Sequence, residues 1–214
     1  MSSLEVQGLL FDLDGVLLDS TAGVGRVWRD WAVRHGLDPA HTEHTAHGRR
    51  AIETVRLLAP QLDADAELAD LERREIEQSY DVTAFAGAAE LLRSLPAAQW
   101  AIVTSGTRPL ATHRLQVAGL PVPQRMITGS DIQQGKPHPE PYLRGAALLG
   151  LEPSQCAAFE DAPSGIKSAR AAGMAVLGLP TTYPVAELGE ATVLLPSLAA
   201  VRAVLHDGRI QLEW

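Results

Sequence analysis

Apolar positions along the chain follow two patterns. Residues 5–11 form a short, nearly continuous apolar run, which predicts a first strand. Between residues 21 and 81 the apolar positions recur instead at three and four. Val24, Val27, Trp28, Trp31 and Ala32 make one amphipathic stripe that ends near Gly36. A second helix is predicted over 51–58, stopping ahead of Pro60. A third is predicted over 67–79, with Leu68, Leu71 and Ile76 on one side. No strand-like alternation interrupts this stretch, so it reads as a separate all-helical insertion.

From Ala84 helices and strands alternate. Helices are predicted over 87–95, 109–118, 139–149 and 164–172, and Gly119, Gly150 and Gly173 close the last three. Strands are predicted over 99–103, 125–128, 156–159, 174–179 and 192–195, followed by a last helix over 198–205. Asp207-Gly208 reads as a turn, and 209–214 as an edge strand. Strands separated by helices of this length imply an α/β fold with a doubly wound parallel sheet. The expected division is a Rossmann-like core of residues 1–18 and 84–214, with the all-helical insertion at 19–83.

Composition narrows the function. The chain has 214 residues, 46% of them apolar, enough for a sizeable core. Its net charge of −8 argues against nucleic acid or an acidic membrane surface as a partner. A single cysteine, Cys156, rules out an internal disulfide and lies in an apolar run, as an inert core thiol would. No basic residue precedes Arg26, and no apolar run approaches the roughly 18 residues of a membrane span. A cytoplasmic protein is the expectation, with a small molecule as its partner and a monomer as its state.

The chemistry gathers at the strand ends, where ligands bind in such sheets. The first strand ends in Asp12-Leu13-Asp14-Gly15. Strand side chains alternate with period two, so Asp12 and Asp14 leave on the same side, and two like charges there call for a compensating cation or proton. The second strand ends in Thr104-Ser105-Gly106, the connection after the third carries Lys136, and the fourth ends in Glu160-Asp161. Carboxylates gathered at one rim suit Mg2+ better than zinc. A lysine and a hydroxyl beside them suit phosphate oxygens, and an ionised Asp can attack phosphorus while its neighbour moves the proton. Taken singly, Asp-x-Asp-Gly is a common turn, Thr104 and Ser105 are helix caps, and Lys136 is a surface residue. It is their order along the chain that favours chemistry.

These residues carry a resemblance. Asp12-Leu13-Asp14-Gly15-Val16, Ser105, Lys136 and Glu160-Asp161 resemble the four motifs of the haloacid dehalogenase superfamily of phosphatases, and the insertion resembles its helical cap. His47-Gly48-Arg49-Arg50, Thr104-Ser105-Gly106-Thr107-Arg108, the segment 134–143 and the segment 159–166 are similar to glycerol-phosphate and 2-deoxyglucose-6-phosphate phosphatases of the β-phosphoglucomutase-like subgroup. The resemblance implies Asp12 as nucleophile and Asp14 as general acid/base. It implies Mg2+ held by the Asp12 carboxylate, the Asp14 carbonyl and Asp161, with Glu160 as a further contact or as a partner of the lysine. Phosphate would be bound by Ser105, the Gly106 amide and Lys136, with Thr104 as a rival for the hydroxyl role. In the cap, Arg50 is expected to reach the substrate phosphate and His47 to stand near it.

Two activities share such a core. Hydrolysis of a small sugar or polyol phosphate through an aspartyl-phosphate is the leading expectation, and a sugar phosphomutase is the alternative. The mutases that the chain resembles carry a cap histidine a few residues past the position of Asp19-Ser20. Thr21-Ala22-Gly23-Val24 offers none, which favours hydrolysis. His41, His44 and His47 recur every three residues but lack the Cys or acidic partner that a metal site would need.

Overall fold

A computed structural model describes residues 2–214. The chain opens with β1 (Ser3–Val6) and β2 (Gly8–Phe11), then β3 (Leu18–Asp19). Four helices follow, α1 (Thr21–Arg34), α2 (Pro39–Ala46), α3 (Ala51–Leu58) and α4 (Ala64–Glu77), and β4 (Thr83–Ala84) leads back. The remainder alternates through α5 (Ala88–Ser94), β5 (Trp100–Val103), α6 (Arg108–Val117), β6 (Met126–Ile127), α7 (Glu140–Leu149), β7 (Cys156–Glu160), α8 (Pro163–Ala171), β8 (Ala175–Gly178) and β9 (Val193–Leu194). It ends in β10 (Arg202–His206) and β11 (Arg209–Glu213).

The main sheet has six parallel strands in the order β6-β5-β2-β7-β8-β9. This is the doubly wound α/β arrangement that the strand and helix alternation implies. The chain leaves β2 toward β5 on one side and later returns to β7 on the other. The crevice between those two departures opens at the carboxyl end of β2, where Asp12 follows Phe11. Successive residues of β2 point to opposite faces. Leu9 and Phe11 pack with Leu91, Leu92 and Leu115, while Leu10 packs with Tyr142, Ala146 and Ile166. Both faces are thus covered by helices, which is why β2 and β5 are apolar throughout.

Helices α1–α4 bury a core of their own, in which Val27, Trp28, Trp31, Val55 and Leu71 meet. Trp28 and Trp31 pack edge to face at 5.5 Å, and the Trp31 indole donates to Glu67 Oε2 at 2.8 Å. The short antiparallel pair β3 and β4 carries the chain into and out of this helical unit. Helix α2 is an addition to the expected elements. Asp38 caps it by accepting from the His41 N–H at 2.6 Å, and Pro39 sits in its first turn.

Two expectations are corrected. The run 5–11 is not one strand. It breaks at Gln7, so that β1 pairs antiparallel with β11 while β2 enters the main sheet. Residues 198–205 are not a helix either. After a single 3-10 turn at Leu198–Ala200 the chain extends as β10 and pairs with β11. The reason is the turn at Asp207-Gly208, where both residues have positive φ, 46° and 75°. A two-residue loop of that kind matches the twist of a hairpin, and it folds β10 back on β11 so that Ile210 and Leu212 join the core.

Candidate active site

Asp12 takes its place from the sheet. Its N–H donates to the Phe159 carbonyl of β7 at 3.0 Å, which continues the ladder past the end of β2. Its Oδ1 accepts from the Leu13 N–H at 2.8 Å and lies 3.0 Å from Lys136 Nζ. Lys136 Nζ also lies 2.6 Å from Glu160 Oε1, at the end of β7. Asp12, Lys136 and Glu160 are all buried, and the Tyr142 hydroxyl donates to Glu160 Oε1 at 2.6 Å. The Asp161 N–H donates to Glu160 Oε2 at 3.3 Å, so both Glu160 oxygens are engaged.

Two glycines allow this crowding. A Cβ on Gly15, whose φ is +83°, would stand 2.0 Å from Asp161 Oδ2, and one on Gly165 would stand 1.9 Å from Glu160 Oε1. The carboxylates of Asp161 and Glu160 occupy the space that those side chains would fill.

The electrostatics show a shortage of positive charge. Asp12, Glu160 and Asp161 bring ligand oxygens within 4.8 Å of one another, with Lys136 as the cation between two of them. Burial pushes the Asp12 carboxyl well above the usual carboxylate range. Lys136 opposes that shift, while Glu160, Asp161 and Asp14 reinforce it. Burial raises Glu160 in the same way, again against Lys136. For Lys136 burial works downward, but Asp12 and Glu160 more than offset it and hold the ammonium above its ordinary value. Asp161 Oδ2 is buried and has no hydrogen-bond partner. A cluster of hard oxygens that is under-neutralised, with one buried oxygen that has no hydrogen-bond partner and only His47 Nε2 at 3.7 Å facing it, fits a small divalent cation.

Asp14 emerges beside this cluster, but its carboxylate turns elsewhere. Its Oδ1 accepts from Ser20 Oγ at 2.6 Å and from Arg114 Nη1 at 2.9 Å. Asp12, Asp14 and Asp161 line a cavity of about 150 Å3, together with Thr104, Ser105 and Gly106 from the end of β5. Within it the Gly106 N–H donates to Thr104 Oγ1 at 3.1 Å, and Ser105 Oγ donates to the Gly48 carbonyl at 3.0 Å.

Helices α1–α4 roof the cavity. His47 and Arg50 both border it, and they engage the protein differently. His47 Nε2 stands 3.7 Å from Asp161 Oδ2, and its ring meets Tyr183 edge to face at 5.4 Å. Burial lowers the His47 pKa, but Asp161 outweighs it and the net shift is upward. Arg50 instead grips the loop that carries Lys136. Its Nη1 donates to the Gln133 carbonyl at 2.9 Å and to Glu53 Oε1 at 3.1 Å, and Glu53 accepts from the Gly135 N–H at 2.9 Å.

Three further residues join the site: Tyr142, which lies in the segment 134–143 but had no role assigned, and Arg114 and Glu75, which lie outside the motifs. Arg114 and Glu75 are charged residues on amphipathic helices, where periodicity predicts a solvated face, yet both are buried.

A Rossmann-like core that carries an acid and lysine cluster at the carboxyl edge of its sheet, under an inserted helical lid, defines a class of hydrolase. Residues 6–173 match the family model of the haloacid dehalogenase-like hydrolases, and the chain belongs to that family. It is 42% identical over 203 residues to hexitol phosphatase A of Escherichia coli K12, covering 92% of this chain and 94% of that protein. It is 36% identical over 194 residues to glycerol-1-phosphate phosphohydrolase 1 of Saccharomyces cerevisiae, covering 85% and 77%. Among solved structures, β-phosphoglucomutase of Clostridium difficile superposes with a TM-score of 0.80 over 91% of this chain and 92% of that one. At 20% identity that likeness concerns the fold. No helix among the described residues is long and apolar enough to cross a membrane.

Proposed function

We propose that this protein is a Mg2+-dependent phosphomonoesterase of small sugar or polyol phosphates, with 1–18 and 84–214 as catalytic core and 19–83 as cap. The observation that carries the reading is Asp12. It is buried at the carboxyl end of β2, held by Lys136 at 3.0 Å, and borders a roofed cavity beside Asp161 Oδ2, a buried oxygen with no hydrogen-bond partner. Relatives named for hexitol phosphate and glycerol 1-phosphate support the substrate class.

In this reading Asp12 attacks the phosphorus, and the bond from phosphorus to the alcohol oxygen breaks. Asp14 gives its proton to the leaving alkoxide. Water then attacks the phosphorus of the aspartyl-phosphate, Asp14 takes the proton from it, and phosphate departs with Asp12 restored. Lys136 balances the charge shared by nucleophile and phosphate. The Ser105 hydroxyl and Gly106 amide bind phosphate oxygens by giving up their contacts with Gly48 and Thr104, and Thr104 backs them. Mg2+ would be held by Asp12, the Asp14 carbonyl and Asp161, with Glu160 alongside, and when bound it neutralises charge developing on the phosphoryl oxygens. Arg50 and His47 close the lid over the phosphate end.

The test is phosphate release from 4-nitrophenyl phosphate, glycerol 1-phosphate, sorbitol 6-phosphate, glucose 6-phosphate and its 2-deoxy form. Release that needs Mg2+ and stops with chelator is the expected result. No release from any of them, or turnover that survives Asp12→Asn, would sink the reading.

A further inference from the structure

Arg114 belongs to none of the strand-end motifs, yet it is only 4% exposed and touches both halves of the molecule. From α6 its Nη1 donates to Asp14 Oδ1 at 2.9 Å, in the turn after β2. Its Nη2 donates to Glu75 Oε2 at 2.9 Å, on α4 of the helical roof. Glu75 is itself buried and Asp14 partly so, which makes this a three-residue ion network anchored in the interior and not a surface pair.

The guanidinium is a planar fork with fixed donor directions. With one prong on Glu75, the other prong sets where Asp14 Oδ1 can stand, and Ser20 Oγ on that oxygen completes the grip. Among the described residues Asp14 Oδ2 makes no hydrogen bond, and Asp14 borders the cavity. One oxygen is therefore fixed and the other is left for proton exchange. The bridge also depends on the roof. Were α4 to lift, Glu75 would leave with it, and a buried guanidinium that loses one of its two carboxylates is poorly compensated, so Arg114 would gain by turning to solvent and releasing Asp14.

We propose that Arg114 is a positioning residue for Asp14, and that Glu75 makes its hold conditional on the roof being seated on the core. This rests on the phosphomonoesterase reading, in which Asp14 protonates the leaving oxygen. Arg114 and Glu75 both border the cavity, but their side-chain hydrogen bonds go to Asp14 and to each other, and the effect proposed passes through one oxygen of that carboxylate.

A merely structural role and a positioning role differ in what they do to the leaving group. 4-Nitrophenolate departs with little need of a proton, whereas an alkoxide needs one. The value of kcat/KM covers binding and the first phosphoryl transfer and leaves out the hydrolytic half that both substrates share. Arg114→Lys keeps the charge but lacks the fork, and Glu75→Gln keeps the shape but loses the charge. Each should lower kcat/KM on glycerol 1-phosphate by about tenfold or more, against less than about threefold on 4-nitrophenyl phosphate. Asp14→Asn sets the scale of that bias. Equal losses on both substrates, no loss on either, or a gain on glycerol 1-phosphate would overturn the proposal. An Asp14→Asn enzyme without leaving-group bias is a separate failure, that of the proton-transfer role itself. Should Arg114→Lys not fold, the Glu75→Gln pair of measurements decides alone.

Discussion

Tyr142 donates its phenolic hydrogen to Glu160 Oε1 at 2.6 Å, the same oxygen that lies 2.6 Å from Lys136 Nζ. The tyrosine thereby fixes the carboxylate that fixes the lysine facing Asp12. Removing it with Tyr142→Phe deletes a buried hydrogen bond to a charged group, worth about 1.5–3 kcal/mol. A lower thermal midpoint is expected, with a drop in kcat as Lys136 loses its fixed partner, and calorimetry with steady-state kinetics measures both. An unchanged kcat would separate Tyr142 from the lysine.

Asp12→Asn should abolish turnover without weakening the fold. Burial holds the Asp12 carboxyl well above its ordinary range, so folding favours the protonated form. The sign follows: a raised carboxyl contributes stability at low pH that is lost as pH rises toward its folded-state value. In chelator at neutral pH the Asn variant is expected to melt at or above the wild type, and a thermal melt of the two proteins compares them.

Asp161 offers the test of the metal. If Asp161 Oδ2 awaits a cation, Mg2+ at a hundred times its dissociation constant should stabilise the wild type by about 2.7 kcal/mol. Asp161→Asn should shrink that gain, as read from thermal midpoints with and without chelator. Equal Mg2+ stabilisation of both proteins would remove Asp161 from the ligand set.

Gly165→Ala sets two principles against each other. Within a helix alanine is favoured over glycine by about 1 kcal/mol. Here the new methyl would stand 1.9 Å from Glu160 Oε1. Overpacking of this kind costs about 1–3 kcal/mol, so a net loss in the urea midpoint is expected, together with lower activity through Glu160 and Lys136.

Asp70 on α4 contacts Arg34, Arg73 and Arg74, at 3.1, 2.5 and 2.7 Å; burial works its carboxyl upward, but the hydrogen bonds from Arg74, Arg73 and Arg34 together outweigh it and hold the carboxyl down to about 2. A lowered carboxyl contributes stability above its unfolded value that is lost as pH falls through the folded one. Solvent screening keeps the contribution below about 1 kcal/mol per pair. The difference in thermal midpoint between wild type and Asp70→Asn should therefore narrow as pH falls from about 5 toward 2.

By itself the sequence determined the parallel sheet, the helical insertion and the gathering of Asp12, Asp14, Ser105, Lys136 and Glu160-Asp161 at one edge. Those features follow from local periodicity and from the rule that places ligands at strand ends, so each can be read within a few residues. Residues 198–205 depart from that pattern for the same reason. Their apolar spacing suited a helix, while the outcome depended on Asp207-Gly208 and on pairing with β11. Helix α2 carried its signal in the Asp38-Pro39 start, not in its weak apolar pattern. The hold of Arg50 and Glu53 on the Gln133–Gly135 loop is likewise visible only once that loop has come up against α3. Arg114 lies 100 residues from Asp14 and 39 from Glu75. No local pattern records such a meeting, because burying those charges becomes tolerable only once three distant elements have packed together.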